Sequence, residues 1–338
     1  MGARADRLHD PGRRRDQLRE RGAALTGYLL RRVGQALVVL AGVSVLVFSL
    51  IHLVRGDPVR LALGTRYSQE TYDALRERNG LDLPLVEQYF RWAGNAVTGD
   101  LGVSFRSGET VTSLIAERLP ATLTLAVAAL VVALLIALPL GMLSALHPRS
   151  LVDRFATVVS QLGISVPDFW LSIMLILIFA GTLGWLPSGG YVPLTEDPWG
   201  WFQRLILPAV ATGVVSGSVI TRFVRSSMLE ALGSDHVRTA EAKGLPTRQV
   251  LSWHVLRNAL LPLVTVTGVQ LAYLLSGVVV VEIVFSWPGL GQLALQAVRD
   301  RDFPVLQGAV LLFALVFLVI NLLVDLLYSR IDPRISRR

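Results

Sequence analysis

Six apolar runs, separated by polar segments, divide this chain of 338 residues. They cover about 36–54, 121–146, 155–186, 205–220, 260–284 and 305–328. Most have a length near the roughly 20 apolar residues that a helix needs to cross the hydrocarbon core of a bilayer. The pattern predicts an all-α integral membrane protein with six transmembrane helices.

The third run is too long for one straight span. About 30 residues would make a helix roughly 45 Å long, and Pro167 and Asp168 interrupt it. We expect a shorter first helix, a break near 165–167 and a main span over 169–186. Two separate spans are the alternative, and they would invert the topology of everything downstream.

The polar segments between the runs predict the rest of the topology. Residues 55–120 carry both signs of charge and turn signals such as Asn79-Gly80, which indicates a small, partly helical external region. The segment 187–204 is rich in Gly, Pro and Trp, and we place it outside as well. Residues 221–258 are polar and basic, and they form the longest inner loop.

Charge near both ends of the chain predicts the orientation. Residues 1–27 are charged and lack apolar periodicity, which predicts a mobile cytoplasmic tail. Arg31 and Arg32 precede the first run, and Arg337 and Arg338 end the chain. Because positive charge beside a span favours the cytoplasmic side, we expect both termini there. That placement requires an even number of spans.

Composition narrows the range of functions that the chain can have. The mean hydropathy is +0.54, and 52% of residues are hydrophobic against 17% charged, which disfavours a soluble enzyme. The net charge of +7 lies in short segments between the apolar runs, which fits the positive-inside rule better than nucleic-acid binding. The sequence has no cysteine, so disulfides, thiol catalysis and cysteine metal sites are excluded.

Motifs for catalysis are absent from the sequence. It has no phosphate-binding loop, no His-Glu-x-x-His metal motif and no Gly-x-Ser-x-Gly nucleophile elbow. The five histidines lack the spacing of metal ligands. We therefore expect a chain that is not an enzyme and holds no metal or cofactor of its own. If transport needs ATP, another chain must hydrolyse it.

The inner loop has the most informative sequence. Residues 235–245 predict a short helix and a turn, at which Gly244 permits a positive φ angle. Residues 254–262 predict a second helix that re-enters the membrane at Pro262. Ala240 and Ala242 are small enough to allow close approach by another surface. A helix–turn–helix that is continuous with membrane helices suits the docking of a partner and the transmission of its movement.

This loop resembles the EAA loop of binding-protein-dependent ABC importer permeases, in the branch that imports dipeptides, oligopeptides and nickel. The matching residues are Thr239, Ala240, Ala242, Lys243, Gly244, Leu245, His254, Leu256, Arg257, Asn258, Ala259 and Pro262. Other stretches similar to this branch, in the same order, are Gly56-Asp57-Pro58, Leu81-Asp82-Leu83-Pro84, Gln88-Tyr89, Gly99-Asp100-Leu101-Gly102, Ser165-Val166-Pro167, Glu282, Pro288-Gly289-Leu290-Gly291, Arg301-Asp302 and Asp332-Pro333-Arg334. The resemblance covers about 28–335, and it departs at Arg78-Asn79-Gly80, where Leu-Gly is expected.

The resemblance implies a type I ABC importer permease domain over 28–338, with a coupling loop over about 221–258. The implied ATPase-coupling residues are Thr239, Ala240, Glu241, Ala242, Lys243, Gly244 and Leu245, with support from His254, Arg257, Asn258 and Pro262. The implied partners are a homologous second permease, two subunits that bind ATP and Mg²⁺, and an extracytoplasmic substrate-binding protein. They would assemble in a bacterial plasma membrane. The implied cargo is a di- or oligopeptide, with nickel or another small solute as the alternative.

Polar residues predicted at membrane depth are candidates for the translocation path, because desolvating them is costly. They are Gln161, Ser165, Asp168, Gln270, Tyr273, Ser276 and Asn321. Interhelical hydrogen bonding is the competing explanation, and Asp168 is also placed to cap the helix after Pro167. Glu282 and Asp325 lie near span ends, where they can reach water or pair with Arg. A self-contained channel or secondary transporter is the competing class. Such proteins more often show internal repeats and paired broken helices, whereas this sequence predicts one break and no repeat.

Overall fold

The computed structural model describes residues 11–53, 56–276 and 278–331. Regular structure in these residues is helical, apart from one β-bridge between Val103 and Thr110. The helices are α1 (Pro11–Leu53), α2 (Pro58–Leu63), α3 (Gln69–Arg78), α4 (Leu85–Val97), α5 (Val111–Leu146), α6 (Leu151–Ser165), α7 (Asp168–Leu175), α8 (Pro198–Leu232), α9 (Asp235–Ala242), α10 (Thr247–Gln249), α11 (Leu256–Leu275), α12 (Val279–Val284), α13 (Leu290–Asp300) and α14 (Phe303–Ile331). A 3₁₀ turn (Gly64–Arg66) follows α2, while π-helical turns continue α7 (Ile176–Thr182) and precede α11 (Val250–Val255).

Four helices in the described residues are long and apolar enough to cross a membrane. They are Leu30–Leu53 within α1, then α5, α8 and Phe303–Leu327 within α14. Helices α6 and α7 make a fifth candidate, broken and bent by 101°. The expected break at 165–167 is confirmed, since α6 ends at Ser165 and α7 begins at Asp168.

The count of six complete spans is not confirmed, because the fifth apolar run is divided. Helix α11 ends at Leu275 and α12 begins at Val279, so the predicted single helix over 260–284 is wrong. The apolar part of α11, Pro262–Leu275, is shorter than a span. Ser276-Gly277 marks the interruption in the sequence, and both residue types disfavour a helix interior.

Three helices extend beyond their predicted limits. Helix α5 begins at Val111, where the Thr110 side chain accepts a hydrogen bond from the Ser113 amide, and it continues through Pro120. A proline removes only one helical hydrogen bond, which a long helix tolerates. Helix α8 begins at Pro198 and runs to Leu232, so parts of both predicted flanking loops are helical. Helix α1 begins at Pro11, so residues 11–27 of the predicted tail are helical.

Helices α1 and α14 pack as an antiparallel pair. Arg32 near the start of the first span pairs with Asp325 near the end of α14, at 2.7 Å. Toward the other end, the Gln307 amide donates to the Val47 carbonyl at 3.3 Å. The first span therefore begins on the side of the membrane on which the last span ends. The cytoplasmic identity of that side stays a prediction.

Small residues bring α5 and α8 into close contact. A Cβ at Gly213 would lie 2.7 Å from Val132 and 2.8 Å from the Ala129 carbonyl oxygen, and one at Gly217 would lie 3.0 Å from the Ala133 carbonyl oxygen. Packing between membrane helices relies on such small residues, because lipid supplies no hydrophobic drive for helices to associate. The α5–α8 pair is thus the rigid centre of the fold.

The predicted external region, residues 56–120, is largely helical, and its sequence motifs form one network. Asp57 caps α2 and also accepts hydrogen bonds from Tyr72 and Arg76, and Arg76 additionally pairs with Asp82. Burial acts to raise the pKa of Asp57, but the Tyr72 hydroxyl, the α2 amides and the Arg76 charge together hold it below its usual value. The Gly-Asp-Pro and Leu-Asp-Leu-Pro stretches are therefore structural supports.

Candidate coupling loop and translocation path

The part of the predicted inner loop that follows α8 folds as the sequence predicts, as a short helix, a turn and a second helix. Helix α8 ends at Leu232, and α9 begins after Ser234, with Asp235 in its first turn. Both residue types favour the start of a helix. Helix α9 ends at Ala242, and Gly244 takes φ = 73°, which a residue with a side chain rarely adopts.

Buried side chains fix α9 to the membrane helices. Val237 and Ala240 are buried in one cluster with Val250 and Val255, which precede α11. The same cluster includes residues of α5 and α8, among them Ala145, Met228 and Ala231. Burying a valine contributes roughly 1.5–3 kcal/mol, so α9 is held as a rigid extension of α5, α8 and α11.

The outer face of the loop is exposed. Thr239, Glu241, Ala242, Lys243 and Gly244 are all exposed, whereas Leu245 is half-buried against the cluster. No heavy atom of the described residues lies within 4 Å of where a Gly244 Cβ would stand. Ala240 faces inward, so the close approach that its small side chain allows is to this chain's own helices.

The support residues lie on the helix that leads back toward the membrane. Helical turns run without a break from Thr247 to Leu275, through the π-helical segment and α11. Arg257 is exposed and Pro262 is half-buried within α11. The side chains of His254 and Asn258 lie outside the described part of the structure. A displacement of the loop therefore has a continuous helical connection to α11.

The predicted path residues lie on four helices. Gln161 and Ser165 are on α6, Asp168 begins α7, Gln270 and Tyr273 are on α11 with Ser276 just after it, and Asn321 is on α14. Ser165, Ser276 and Asn321 each donate to the carbonyl four residues earlier in the chain. Asp168 accepts from the Phe169 amide in the first turn of α7, at 2.8 Å. For these four residues, the hydrogen bonds found are local rather than interhelical.

Gln161 is the path candidate that lines a polar cavity. This α6–α8 cavity has a volume of about 320 Å³, and its polar lining is Ser144, Thr157, Ser160, Gln161, Thr221, Arg222 and Arg225. The other predicted path residues do not line it. Arg222 and Arg225 were assigned to a loop in the sequence, because the fourth apolar run ends at 220. The helix continues, however, and carries both cations into the cavity wall.

An ion pair closes one side of the α6–α8 cavity. Arg225 binds both carboxylate oxygens of the buried Asp153, at 2.8 and 3.0 Å. Ser144 donates to the same carboxylate at 2.6 Å, and so does the Arg149 amide at 2.8 Å. A bidentate pair with further hydrogen bonds offsets the cost of burying the charge. This pair joins α5, α6 and α8.

Glu282 has a structural role that its position in the sequence did not reveal. It is buried, accepts from the Gln292 amide at the start of α13 at 2.8 Å, and contacts the Thr122 hydroxyl at 3.2 Å. A Cβ at Gly289 would collide with its carboxylate. The Pro-Gly-Leu-Gly stretch thus has glycine at position 289 because the carboxylate that caps α13 leaves no room there for a side chain. Asp325, in contrast, pairs with Arg32, one of the two roles expected for it.

Comparison with known proteins agrees with this architecture. Residues 137–337 match the family described as binding-protein-dependent transport system inner membrane component, and residues 25–126 match its N-terminal family. An oligopeptide transport system permease protein of Bacillus subtilis is 39% identical, over 92% of this chain and 100% of its own. A glutathione transport system permease protein of Escherichia coli is 40% identical, over 92% and 99%. A dipeptide transport system permease protein of Alkalihalophilus pseudofirmus is 39% identical, over 92% and 100%.

Solved structures share the fold. The MetNI methionine ABC transporter in an inward-facing conformation aligns with a TM-score of 0.52 at 22% identity, covering 65% of this chain and 96% of its own. An amino acid ABC transporter aligns with a TM-score of 0.51 at 16% identity, covering 65% and 94%. The matched families together span most of the sequence, and the helical architecture is that of an importer permease. The chain therefore belongs to the family of binding-protein-dependent transport system inner membrane components, the permeases of ABC importers.

Proposed function

We propose that this chain is a permease subunit of an ATP-driven importer of di- or oligopeptides, and that residues 235–262 dock a separate ATP-binding subunit. The peptide assignment rests on the relatives, which are named for oligopeptide, dipeptide and glutathione transport. The docking assignment rests on one observation. Thr239 and residues 241–244 are exposed at the end of α9, and Val237 and Ala240 form a buried base beneath them.

The geometry supports mechanical coupling through this loop. Its base contacts the π-helical turn that leads into α11 and belongs to one buried cluster with residues of α5, α8 and α11, so a force on the exposed residues can reach all three helices. ATP and Mg²⁺ bind to the partner subunits, and this chain contributes no catalytic step. Closure of two such subunits would move two coupling loops, one on this chain and one on a homologous second permease.

The translocation path is proposed to include the α6–α8 cavity. Gln161, Thr157 and Ser160 supply hydrogen-bonding groups, and Arg222 supplies a positive charge. Such groups can replace the water around a peptide's amides and carboxylate. An extracytoplasmic binding protein delivers the peptide, and both termini of this chain are cytoplasmic, in keeping with their arginines.

A second candidate function has one observation in its favour. Two apolar runs are divided between separate helices, between Ser165 and Asp168 and between Leu275 and Val279, whereas the sequence predicted one break. Paired broken helices are common in secondary transporters. A self-contained carrier would need no ATP-binding subunit. Nickel or another small solute is the alternative cargo within the importer class.

Reconstitution distinguishes these functions. Proteoliposomes would hold this chain with its second permease and ATP-binding subunits, and the binding protein would be added with labelled dipeptide. The proposal predicts uptake that needs ATP and every subunit. Flux by this chain alone, driven by an ion gradient, would establish the carrier instead. ATP-driven uptake of Ni²⁺ but not peptide would keep the importer and change its cargo.

A further inference from the structure

Helix α4 in the external region has an exposed apolar stripe. Val86, Phe90 and Val97 are 70%, 69% and 89% exposed. At 100° per residue, their spacing places them on one side of the helix. Glu87 and Arg91 are exposed on another side, so the helix separates apolar from polar surface. A helix of this kind is typical of a membrane interface.

The contacts of α4 place it beside the first span rather than above it. The Tyr89 hydroxyl lies 2.9 Å from the Ser44 hydroxyl, and the Trp92 ring centroid lies 5.9 Å from that of Phe48. Ser44 precedes the end of the span at Leu53 by nine residues, or about 13 Å of helix. The contact face of α4 is therefore at the depth of the span.

The surroundings of α4 fix which way its faces point. On the side of α1 that contacts α4, Leu37 is exposed about two turns before Ser44 and Val45 is exposed next to Ser44, as lipid-facing residues of a span are. On the polar side, the Arg91 side chain lies against the turn at Gly80, in the external region. The apolar stripe thus continues the surface of the span, and the polar face points toward the external loops.

We propose that α4 is an interfacial helix, embedded in the leaflet at the external end of α1. Val86, Phe90 and Val97 contact lipid acyl chains, while Glu87 and Arg91 face headgroups and water. Tyr89 anchors the helix to α1, so its half-buried side chain is not available to an external binding protein. The occupant of the stripe is lipid, because the stripe lies at span depth and adjoins the apolar surface of α1.

The absence of cysteine from the sequence allows a direct test. Single variants Phe90→Cys and Val97→Cys, with Asn95→Cys on the polar side as the matched control, would be labelled with an environment-sensitive bimane probe. The chain would be studied with its co-purifying subunits, made cysteine-free, in lipid nanodiscs. Quenching by doxyl-labelled lipid would be compared with quenching by aqueous iodide at each position.

The proposal predicts opposite behaviour on the two sides of α4. Probes at 90 and 97 should be quenched several-fold more by doxyl lipid than by iodide, and the probe at 95 should show the reverse. Iodide quenching at 90 and 97 would place the stripe in water and overturn the proposal. Protection of both positions from both quenchers would also overturn it, because a protein surface would then cover the stripe.

Discussion

Gly244 gives the sharpest test of the coupling loop, because backbone strain and surface bulk can be varied separately there. Its φ of 73° costs a residue with a side chain about 1–2 kcal/mol, and less for Asn, which tolerates this conformation. No described heavy atom lies within 4 Å of its Cβ position. A side chain at this position therefore starts into open space, as far as the described residues show.

The series Gly244→Asn, Gly244→Ala and Gly244→Trp should separate the two effects. All three leave the buried base at Val237 and Ala240 intact, so the chain should fold in each case. If the turn docks a partner, Asn and Ala should retain most of the ATP-driven uptake, and Trp should lose it at least tenfold. Tenfold corresponds to about 1.4 kcal/mol of docking free energy.

The assay is recovery of the ATP-binding subunit after solubilisation, together with ATP-driven uptake in proteoliposomes. Gly108→Trp is the matched control, since Gly108 has φ = 76° and equally open surroundings in the external region. It should leave recovery of the ATP-binding subunit unchanged. Normal recovery and uptake with Gly244→Trp would refute the docking argument. Equal losses with Ala and Trp would attribute the effect to backbone strain.

Three further predictions concern the supports of the fold. Arg225→Ala should destabilise the protein by about 3 kcal/mol, because Asp153 is then buried without its cation. Gly213→Val should destabilise the protein by about 1–3 kcal/mol, because Val132 and the Ala129 backbone occupy the space that the new side chain needs. A lower thermal unfolding midpoint in detergent would show this loss. Asp57 has a lowered pKa, so its stabilisation is present above about pH 4 and is lost as pH falls further. The difference in unfolding midpoint between wild type and Asp57→Asn should accordingly shrink below pH 4.

Each of these has a contrasting outcome. Replacing both Asp153 and Arg225 by similar-sized neutral residues should cost less than Arg225→Ala, and an equal cost would contradict the ion-pair argument. Gly42→Val, at a glycine with open surroundings, is the control for steric overlap. Burial raises the pKa of Asp302, which opposes the trend from Asp57, so only the difference between variants isolates Asp57. A difference independent of pH would refute the assignment.

Local signals in the sequence predicted the features that depend on neighbouring residues. Pro167 gave the break between α6 and α7, and Gly244 gave the positive-φ turn of the coupling loop. The apolar runs located the spanning helices, although α5 and α8 extend past the expected limits. The first residues of these helices are set by capping groups, Thr110 for α5 and Asp197 for α8. Both lie in polar segments, which the apolar pattern assigned to loops.

Features that depend on tertiary contacts could not be predicted. Glu282 caps α13 only because the fold places α12 beside it. Ala240 could face a partner or the chain's own core, and only packing against α5, α8 and α11 decides between them. The second break after Leu275 has a weak local signal, a Ser-Gly pair within an apolar run. The α6–α8 cavity is lined by residues of three helices, and their positions in the sequence do not show that they meet.

Photo-crosslinking from the exposed end of α9 tests directly whether this loop docks an ATP-binding subunit. A photoreactive amino acid would replace Ala242 in the complete transporter, and the same residue at Phe90 would serve as a control on the opposite side of the membrane. If the loop docks an ATP-binding subunit, position 242 should crosslink to that subunit and position 90 should not. Failure to crosslink position 242 to any ATP-binding subunit in an active transporter would contradict this docking.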